Sequence, residues 1–307
     1  MIRCPGSRCL NRASGDAVNL AALLDHVLSP PDALRGAQNM ERFLDGRTAL
    51  VTGSVQGIGM AIAQAMASAG ARICVHGLAT ELEAEAAVEA IRKSGAPDVR
   101  FFDADMRKSS AIDAMMTAVA AWGGADILVN NAGIQNTTSL AEATRQVWDD
   151  IIAVNLSAAF DTMRHALPAM AQRGYGRVIN IASVHGLVAS VNKAPYVAAK
   201  FGLVGMSRVA ALEFATAGSR NSGGVTVNCI CPGFVETPLI EPQILARAAG
   251  IGGDRTAGIA SLLAEKQPSR RTSMPVEVGA LALWLTHPMA HNITGAAIPI
   301  DGGWTAQ

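Results

Sequence analysis

Two short apolar runs, Thr48 to Thr52 and Arg72 to His76, flank a glycine turn and a helix-length stretch of small residues. That segment, RTALVTGSVQGIGMAIAQAMASAGARICVHG, limits the possible folds more than any other. It reads as strand, tight turn, helix from Met60 to Ala69 stopped by Gly70, and second strand. Parallel strands joined this way cross over right-handedly, which lays a helix against the sheet. In the turn, Gly53, Gly57 and Gly59 form a Gly-x-x-x-Gly-x-Gly pattern, with Ile58 between the last two. Glycines let the backbone approach a pyrophosphate, and the helix N-terminus favours its negative charge. A glycine turn can also join a strand and helix with no ligand, so its meaning depends on the rest of the chain.

The rest repeats the plan. Apolar runs near 48–52, 72–76, 99–103, 126–130, 177–182, 225–230 and 296–300 alternate with helix-like stretches, and no linker divides them. This predicts an α/β fold: a doubly wound, Rossmann-type parallel sheet of seven strands in a single domain over residues 43–307. Ser109 or Ser110 is expected to cap the helix through Val119, with Gly123 ending it. Ligands of such sheets sit at the carboxyl ends of the strands. There the sequence places Gly53, Asp105, Asn130 and Ser183. Asp105, in DADM, can offer an adenine its carboxylate or a backbone N–H.

Ser183, Tyr196 and Lys200 carry the second signal. Ser183 closes the strand GRVINIAS. Pro195 suits the first turn of a helix, and YVAAKFGLVGMSRVAALEFA continues as a long, mostly apolar one. Tyr196 and Lys200 are then i and i+4, one turn apart on one face. An ammonium beside a phenol is expected to lower its pKa from about 10 towards neutrality, so that the phenolate can take an alcohol proton. A hydroxyl at the strand end can orient the reacting oxygen. Tyr-x-x-x-Lys also occurs on ordinary surface helices; its agreement with the glycine turn gives it weight.

Taken in order, TGSVQGIG at 52–59, NNAG at 130–133, Asn155, Ser183, YVAAK at 196–200 and PGFVET at 232–237 resemble the short-chain dehydrogenase/reductase family, from about Phe43 to the C-terminus. The resemblance implies a catalytic tetrad of Asn155, Ser183, Tyr196 and Lys200, with Asn155 holding a water that relays protons from the lysine. It implies a nicotinamide cofactor on Gly53, Gly57, Ile58, Gly59, Asp105, Asn131, Gly133, Tyr196, Lys200, Pro232 and Gly233. It implies, too, that Lys200 bonds the nicotinamide ribose. Within the family, NNAGIQ, INIASVHGLV, YVAAK, LLAEKQPS and the terminal DGGW-x-AQ are similar to the bacterial D-3-hydroxybutyrate dehydrogenases. That likeness implies a substrate carboxylate held by Gln135, His185, Lys193 and Gln243. Phe234 stands where the likeness leads one to expect tryptophan. The stretch between Leu239 and Leu263, which includes Gln243, departs more than the catalytic core, and residues from about 236 to 266 are expected to form a lid.

The second strand ends in His76-Gly77-Leu78. It lacks both the carboxylate that usually holds the ribose of NAD and the arginine that accommodates the phosphate of NADP. With no base inside TGSVQGIG either, NAD is the expected cofactor. His76 is left as either a ribose contact or a strand-end residue facing solvent.

Lysine plus arginine equals aspartate plus glutamate, 25 each. This balance gives no reason to expect nucleic acid or an anionic membrane as partner. Half the residues are hydrophobic and 16% are charged. That low charge suggests helices buried between subunits; the family likeness implies a homotetramer paired through the helices of Asn155 and Tyr196. No apolar run is long enough for a membrane span. Cys229 and Cys231 point the same way on one strand as core thiols, no metal spacing is present, and a reducing cytoplasm is the simplest compartment. Residues 1–42 are expected to be an N-terminal extension, disordered or produced by a mis-assigned start. SRNSGG at 219–224 reads as a surface loop. Two other functions remain open: another reductase of the family, acting on 3-oxoacyl or sugar substrates, and a nucleotide-binding scaffold without turnover.

Overall fold

A computed structural model describes residues 42–306. The expectations placed on the N-terminal extension fall outside the described residues, apart from Arg42. The chain alternates β1 (Thr48–Val51), α1 (Gly57–Ser68), β2 (Arg72–His76), α2 (Glu81–Lys93), β3 (Val99–Phe102), α3 (Ser109–Ala121) and β4 (Ile127–Asn130). It continues through α4 (Arg145–Ile152), α5 (Ala158–Arg173), β5 (Tyr175–Ile181), α6 (Ala194–Glu213) and β6 (Gly224–Pro232). Helices α7 (Glu241–Ala249), α8 (Arg255–Lys266) and α9 (Pro275–Thr286) precede β7 (Ala297–Ile300).

The strands form one seven-stranded parallel sheet, in the order β3-β2-β1-β4-β5-β6-β7. The order reverses between β1 and β4, and a crevice opens there at the carboxyl edge. Strands β1, β4 and β5 are buried throughout, which is why they read as largely apolar runs, with Asn130, Arg177 and Asn180 the polar exceptions in β4 and β5. Helices α1 and α9 cover one face with Ile62, Met66, Val278 and Ala282. Helices α3, α5 and α6 cover the other with Ile112, Met163, Leu167 and Ala210. Cys229 and Cys231 are buried free thiols, as expected.

Two local features differ from expectation. Helix α3 begins at Ser109 after Lys108 and has no side-chain cap. The stretch containing Asn155 is a π-helical turn, Ala153–Ser157, between α4 and α5. Such turns interrupt the usual backbone ladder and often accompany functional sites.

A buried polar chain ties the centre of the sheet to its helices. Thr162 donates to Asn130 Oδ1 (2.6 Å), Asn130 Nδ2 to Asn180 Oδ1 (2.8 Å), and Asn180 Nδ2 to Ser207 Oγ (2.7 Å). Ser207 Oγ in turn donates to the Leu203 carbonyl (2.6 Å). Asn130 and Asn180 face one another in the β4–β5 register. Because each of these groups finds a partner, the network fixes the strand ends without leaving an unsatisfied dipole in the core. Among the described residues, no helix is long and apolar enough to cross a membrane.

Candidate active site

The carboxyl edge opens into a cleft of 690 Å³. Its lining includes Gly53, Gly57, Ile58, Asp105, Asn131, Gly133 and Gln135 on one side, and Ser183, His185, Lys193, Tyr196, Lys200, Pro232, Gly233 and Gln243 on the other. Two site residues from the sequence do not line it. Gly59 lies beneath the turn, and Asn155 borders a cavity of 10 Å³ behind the cleft.

The glycine turn is shaped for a phosphate. Gly53 has φ +63°, a left-handed conformation that suits glycine. A Cβ on Gly59 would stand 2.2 Å from the Gly53 carbonyl and 2.5 Å from Asn131 Nδ2, so only glycine allows this close approach. Asn131 Nδ2 donates to the Thr52 and Gly53 carbonyls (both 2.9 Å), binding the NNAG loop to the turn. Helix α1 opens with no side-chain cap and no acid in its first turn. Its first N–H groups therefore offer an uncompensated positive end to the cleft. A dinucleotide diphosphate fits this cradle. Asp105, expected near an adenine, is held in a two-point ion pair by Arg107, with both contacts at 2.9 Å. That guanidinium lowers the carboxyl to about 2. With its carboxylate so engaged, Asp105 faces the cleft with the Ala104–Met106 backbone beside it.

The expected site for proton transfer assembles where α6 meets β5. Tyr196 and Lys200 are buried on one face of α6, and Ser183 follows β5. Ser183 and Tyr196 line the same cleft, and the Ser183 hydroxyl accepts from the His185 N–H (3.2 Å). Lys200 Nζ lies 5.6 Å from the centre of the tyrosine ring and donates to the Ile181 carbonyl (2.8 Å). Lys200 does not lower the phenol as expected. Burial pushes Tyr196 up to about 12, opposed by the nearby Ser183 hydroxyl, and burial pulls Lys200 down to about 8. Both groups pay the cost of leaving water, and burial is the largest influence on each.

Asn155 does not point its amide into the cleft. Its Nδ2 donates to the Ile134 carbonyl (2.7 Å), and its Oδ1 accepts from the Ile134 N–H (2.9 Å). The side chain thus pins the strand-end loop that carries Gln135. The cavity of 10 Å³ at its back is lined by Thr52, Asn130, Asn155 and Lys200 together with apolar residues such as Val154 and Leu203. That is room for about one water next to the lysine.

The four residues expected at a carboxylate converge. Lys193 Nζ donates to Gln243 Oε1 (3.0 Å), and Gln135 Nε2 donates to the Leu239 carbonyl (3.1 Å). His185 lies edge-on to Tyr196 (6.0 Å) and to Trp304 (5.4 Å). Burial, with the nearby Lys193, lowers His185 to about 4, so the imidazole is neutral at pH 7. Burial also lowers Lys193. Helices α7 and α8 stand over this end as a hairpin. Arg255 bridges both oxygens of Glu241 (2.8 Å each), and Arg247 pairs with Glu265. Ile240, Ile244, Leu262 and Leu263 seat the hairpin on Val184, Phe234 and Trp304.

The sequence reading missed two participants. Trp304 lines the cleft and meets Phe234 at 5.1 Å. The motif DGGW held the signal: Asp301 accepts from the N–H groups of Gly303 (3.0 Å) and Thr305 (2.8 Å), which turns the chain end back into the site. His76, expected as a ribose contact or a solvent-facing residue, is not exposed; it is buried between the glycine turn and β3 at the wall of the cleft.

A nucleotide cradle at the switch point of a parallel sheet, beside a buried serine, tyrosine and lysine, defines a dinucleotide-dependent oxidoreductase. A family model described as short chain dehydrogenase matches residues 47–247, and the chain belongs to that family. Among curated relatives it is 48% identical, over 86% of its length and all of the relative, to a D-beta-hydroxybutyrate dehydrogenase of Cupriavidus necator. It is 45% identical to a D-beta-hydroxybutyrate dehydrogenase of Rhizobium meliloti, over 85% of this chain and 99% of the relative. Among solved structures it resembles L-sorbose reductase from Gluconobacter frateurii complexed with NADPH and L-sorbose, at 29% identity and a TM-score of 0.79. That match covers 86% of this chain and 98% of the reductase.

Proposed function

We propose that the protein interconverts D-3-hydroxybutyrate and acetoacetate with NAD as cofactor. The observation that carries this reading is the buried Lys193, joined to Gln243 of the hairpin in the same cleft as Ser183 and Tyr196. A four-carbon hydroxy acid has little apolar surface, so its carboxylate must supply orientation. One cation with the amides of Gln135 and Gln243 and the imidazole of His185 makes a receptor for it. Phe234 and Trp304 wall the apolar side. The names of the two dehydrogenase relatives support the same substrate.

In this scheme Ser183 and Tyr196 bond the 3-hydroxyl. Tyr196 takes its proton in oxidation and returns it in reduction, while Asn155, Lys200 and one water in the small cavity carry protons onward. When bound, the nicotinamide supplies the hydride acceptor at C3. Gly53, Gly57, Ile58 and Gly59 hold the diphosphate, Asp105 flanks the adenine, and Asn131, Gly133, Tyr196, Lys200, Pro232 and Gly233 surround the nicotinamide half. NAD is favoured over NADP because Arg107, the base nearest that end of the cleft, is committed to Asp105, and Leu78 presents an apolar, exposed side chain. Residues 236–266 act as a lid that excludes water. A homotetramer is supported by exposed apolar side chains on the outer faces of α5 and α6, including Phe160, Phe201, Val209 and Leu212. A cytoplasmic location accords with the free thiols.

The test is NADH formation by purified protein with each enantiomer of 3-hydroxybutyrate, and with NAD⁺ against NADP⁺. Turnover confined to the D enantiomer with NAD⁺ is expected. Equal rates on both enantiomers, or none on either, would overturn the reading.

A further inference from the structure

His76 ends β2, where a dinucleotide-binding strand often presents a carboxylate to the ribose. Here the ring turns inward. Its Nδ1 accepts from the Gly53 N–H (3.0 Å), and its Nε2 lies 3.0 Å from the Ala104 carbonyl. The two contacts fix the proton's position. Nδ1 faces a donor and must carry a lone pair; Nε2 faces a carbonyl and must carry the hydrogen. The neutral Nε2–H tautomer is the one form that satisfies both.

The backbone on each side is equally committed. His76 N–H donates to Ser54 Oγ (3.0 Å), and Ser54 N–H donates to the His76 carbonyl (2.8 Å). With Asn131 holding the Gly53 carbonyl, both polar groups of Gly53 are tied down. The imidazole therefore bridges the diphosphate turn and the end of β3, next to Asp105. These are the two protein segments that a dinucleotide's pyrophosphate and adenine must find at a fixed separation.

We propose that His76 is the positioning residue that sets this separation, and that dinucleotide binding requires its neutral form. A proton on Nδ1 would place two N–H donors 3.0 Å apart, and the glycine turn would have to move. Few charges act on the ring. The turn from Gly53 to Gly57 and helix α1 carry none. Asp103, at the end of β3, favours protonation, while the neighbouring Asp105 carboxylate is held by Arg107. Burial outweighs Asp103 and the Ala104 bond, and keeps the ring below its ordinary 6.5. The folded apoprotein is therefore neutral at His76 at physiological pH and gains the proton only on acidification. The inference rests on the nicotinamide dinucleotide occupying this cradle.

The experiment measures NADH dissociation constants by fluorescence between about pH 5 and 8, for wild type, His76→Asn and His76→Phe. Imidazole ¹⁵N NMR on the cofactor-free protein reports the tautomer independently. An unprotonated Nδ1 and a protonated Nε2 are expected at neutral pH. Wild-type Kd should rise on acidification, by up to about tenfold per pH unit below the His76 pKa. Asn places a carbonyl oxygen where Nδ1 stands but has no donor at the Nε2 position, so His76→Asn should weaken neutral-pH binding less than His76→Phe does and lose the acid limb. His76→Phe, which leaves the Gly53 N–H without an acceptor, should weaken binding about tenfold or more at every pH. A pH-independent wild-type Kd, an acid limb that persists in His76→Asn, or the opposite tautomer would overturn the inference while leaving the cofactor reading intact. Wild-type protein that binds no NADH at neutral pH would overturn the cofactor reading, and this inference with it.

Discussion

Lys193→Ala is the sharpest test of how the substrate is held. Lys193 is 8% exposed, and its Nζ makes a 3.0 Å bond to Gln243 rather than an ion pair. Among the described residues its charge therefore has no ionic partner, as a receptor for an anion requires. A charge-assisted hydrogen bond to a carboxylate contributes about 1.5–3 kcal/mol, so its removal should lower kcat/KM for 3-hydroxybutyrate about 10- to 150-fold. The loss should fall mainly on KM, because the carboxylate keeps its charge from ground state to transition state. Reduction of methyl acetoacetate provides the control. That ester has the same reacting ketone without the anion, and Lys193→Ala should change its kcat/KM by less than about threefold. Steady-state kinetics with the acid and the ester, in wild type and variant, decide the matter. An unchanged KM for the acid, or an equal loss on the ester, would refute a carboxylate-binding role.

Three further outcomes are expected. Oxidation needs the Tyr196 phenolate and reduction the phenol. With the phenol pushed up to about 12, kcat for oxidation should climb with pH above neutrality while that for reduction stays flat or falls, as paired pH profiles would reveal. Gly59→Ala drives a Cβ to 2.2 Å from the Gly53 carbonyl; NADH binding, followed by fluorescence, should weaken by about a hundredfold or more, because the turn must open. Asn180→Ala strands Asn130 Nδ2 and removes the donor to Ser207. It should cost about 2–4 kcal/mol of stability in urea unfolding, the sum of one or two unsatisfied buried groups and the space left.

The sheet was legible in the sequence because a strand covered on both faces is mostly apolar, as Ile127–Asn130 and Tyr175–Ile181 are apart from Asn130, Arg177 and Asn180. The position of the cleft followed from the glycine turn and the carboxyl-edge rule. Helix boundaries were less legible. Nothing in SSAIDAMM says that Lys108 rather than a serine stands at the cap, since capping depends on the angle at which the chain leaves β3. The π-helical turn at Asn155 was likewise hidden: one extra residue in a helix leaves no mark on composition. The cluster of Gln135, His185, Lys193 and Gln243 was found through family likeness, and spacing alone would not have joined residues 135 and 243. Burial changed two expectations. It raised Tyr196 where an i+4 lysine promised a lower value, and it turned His76 from a surface or ribose residue into a buried bridge. Neither effect is local in sequence, because desolvation is set by what other elements cover the group.

The central claim is that Tyr196 and its neighbours remove the hydroxyl proton of D-3-hydroxybutyrate as hydrogen leaves C3 for the nicotinamide. The direct measurement follows the label from D-3-hydroxybutyrate deuterated at C3, in wild type and in Tyr196→Phe. Wild type should yield acetoacetate and stoichiometric deuterated NADH. Tyr196→Phe should still bind NADH but transfer the label about 10²- to 10⁴-fold more slowly. Unlabelled NADH, or a Tyr196→Phe variant that transfers deuterium at the wild-type rate, would contradict the account.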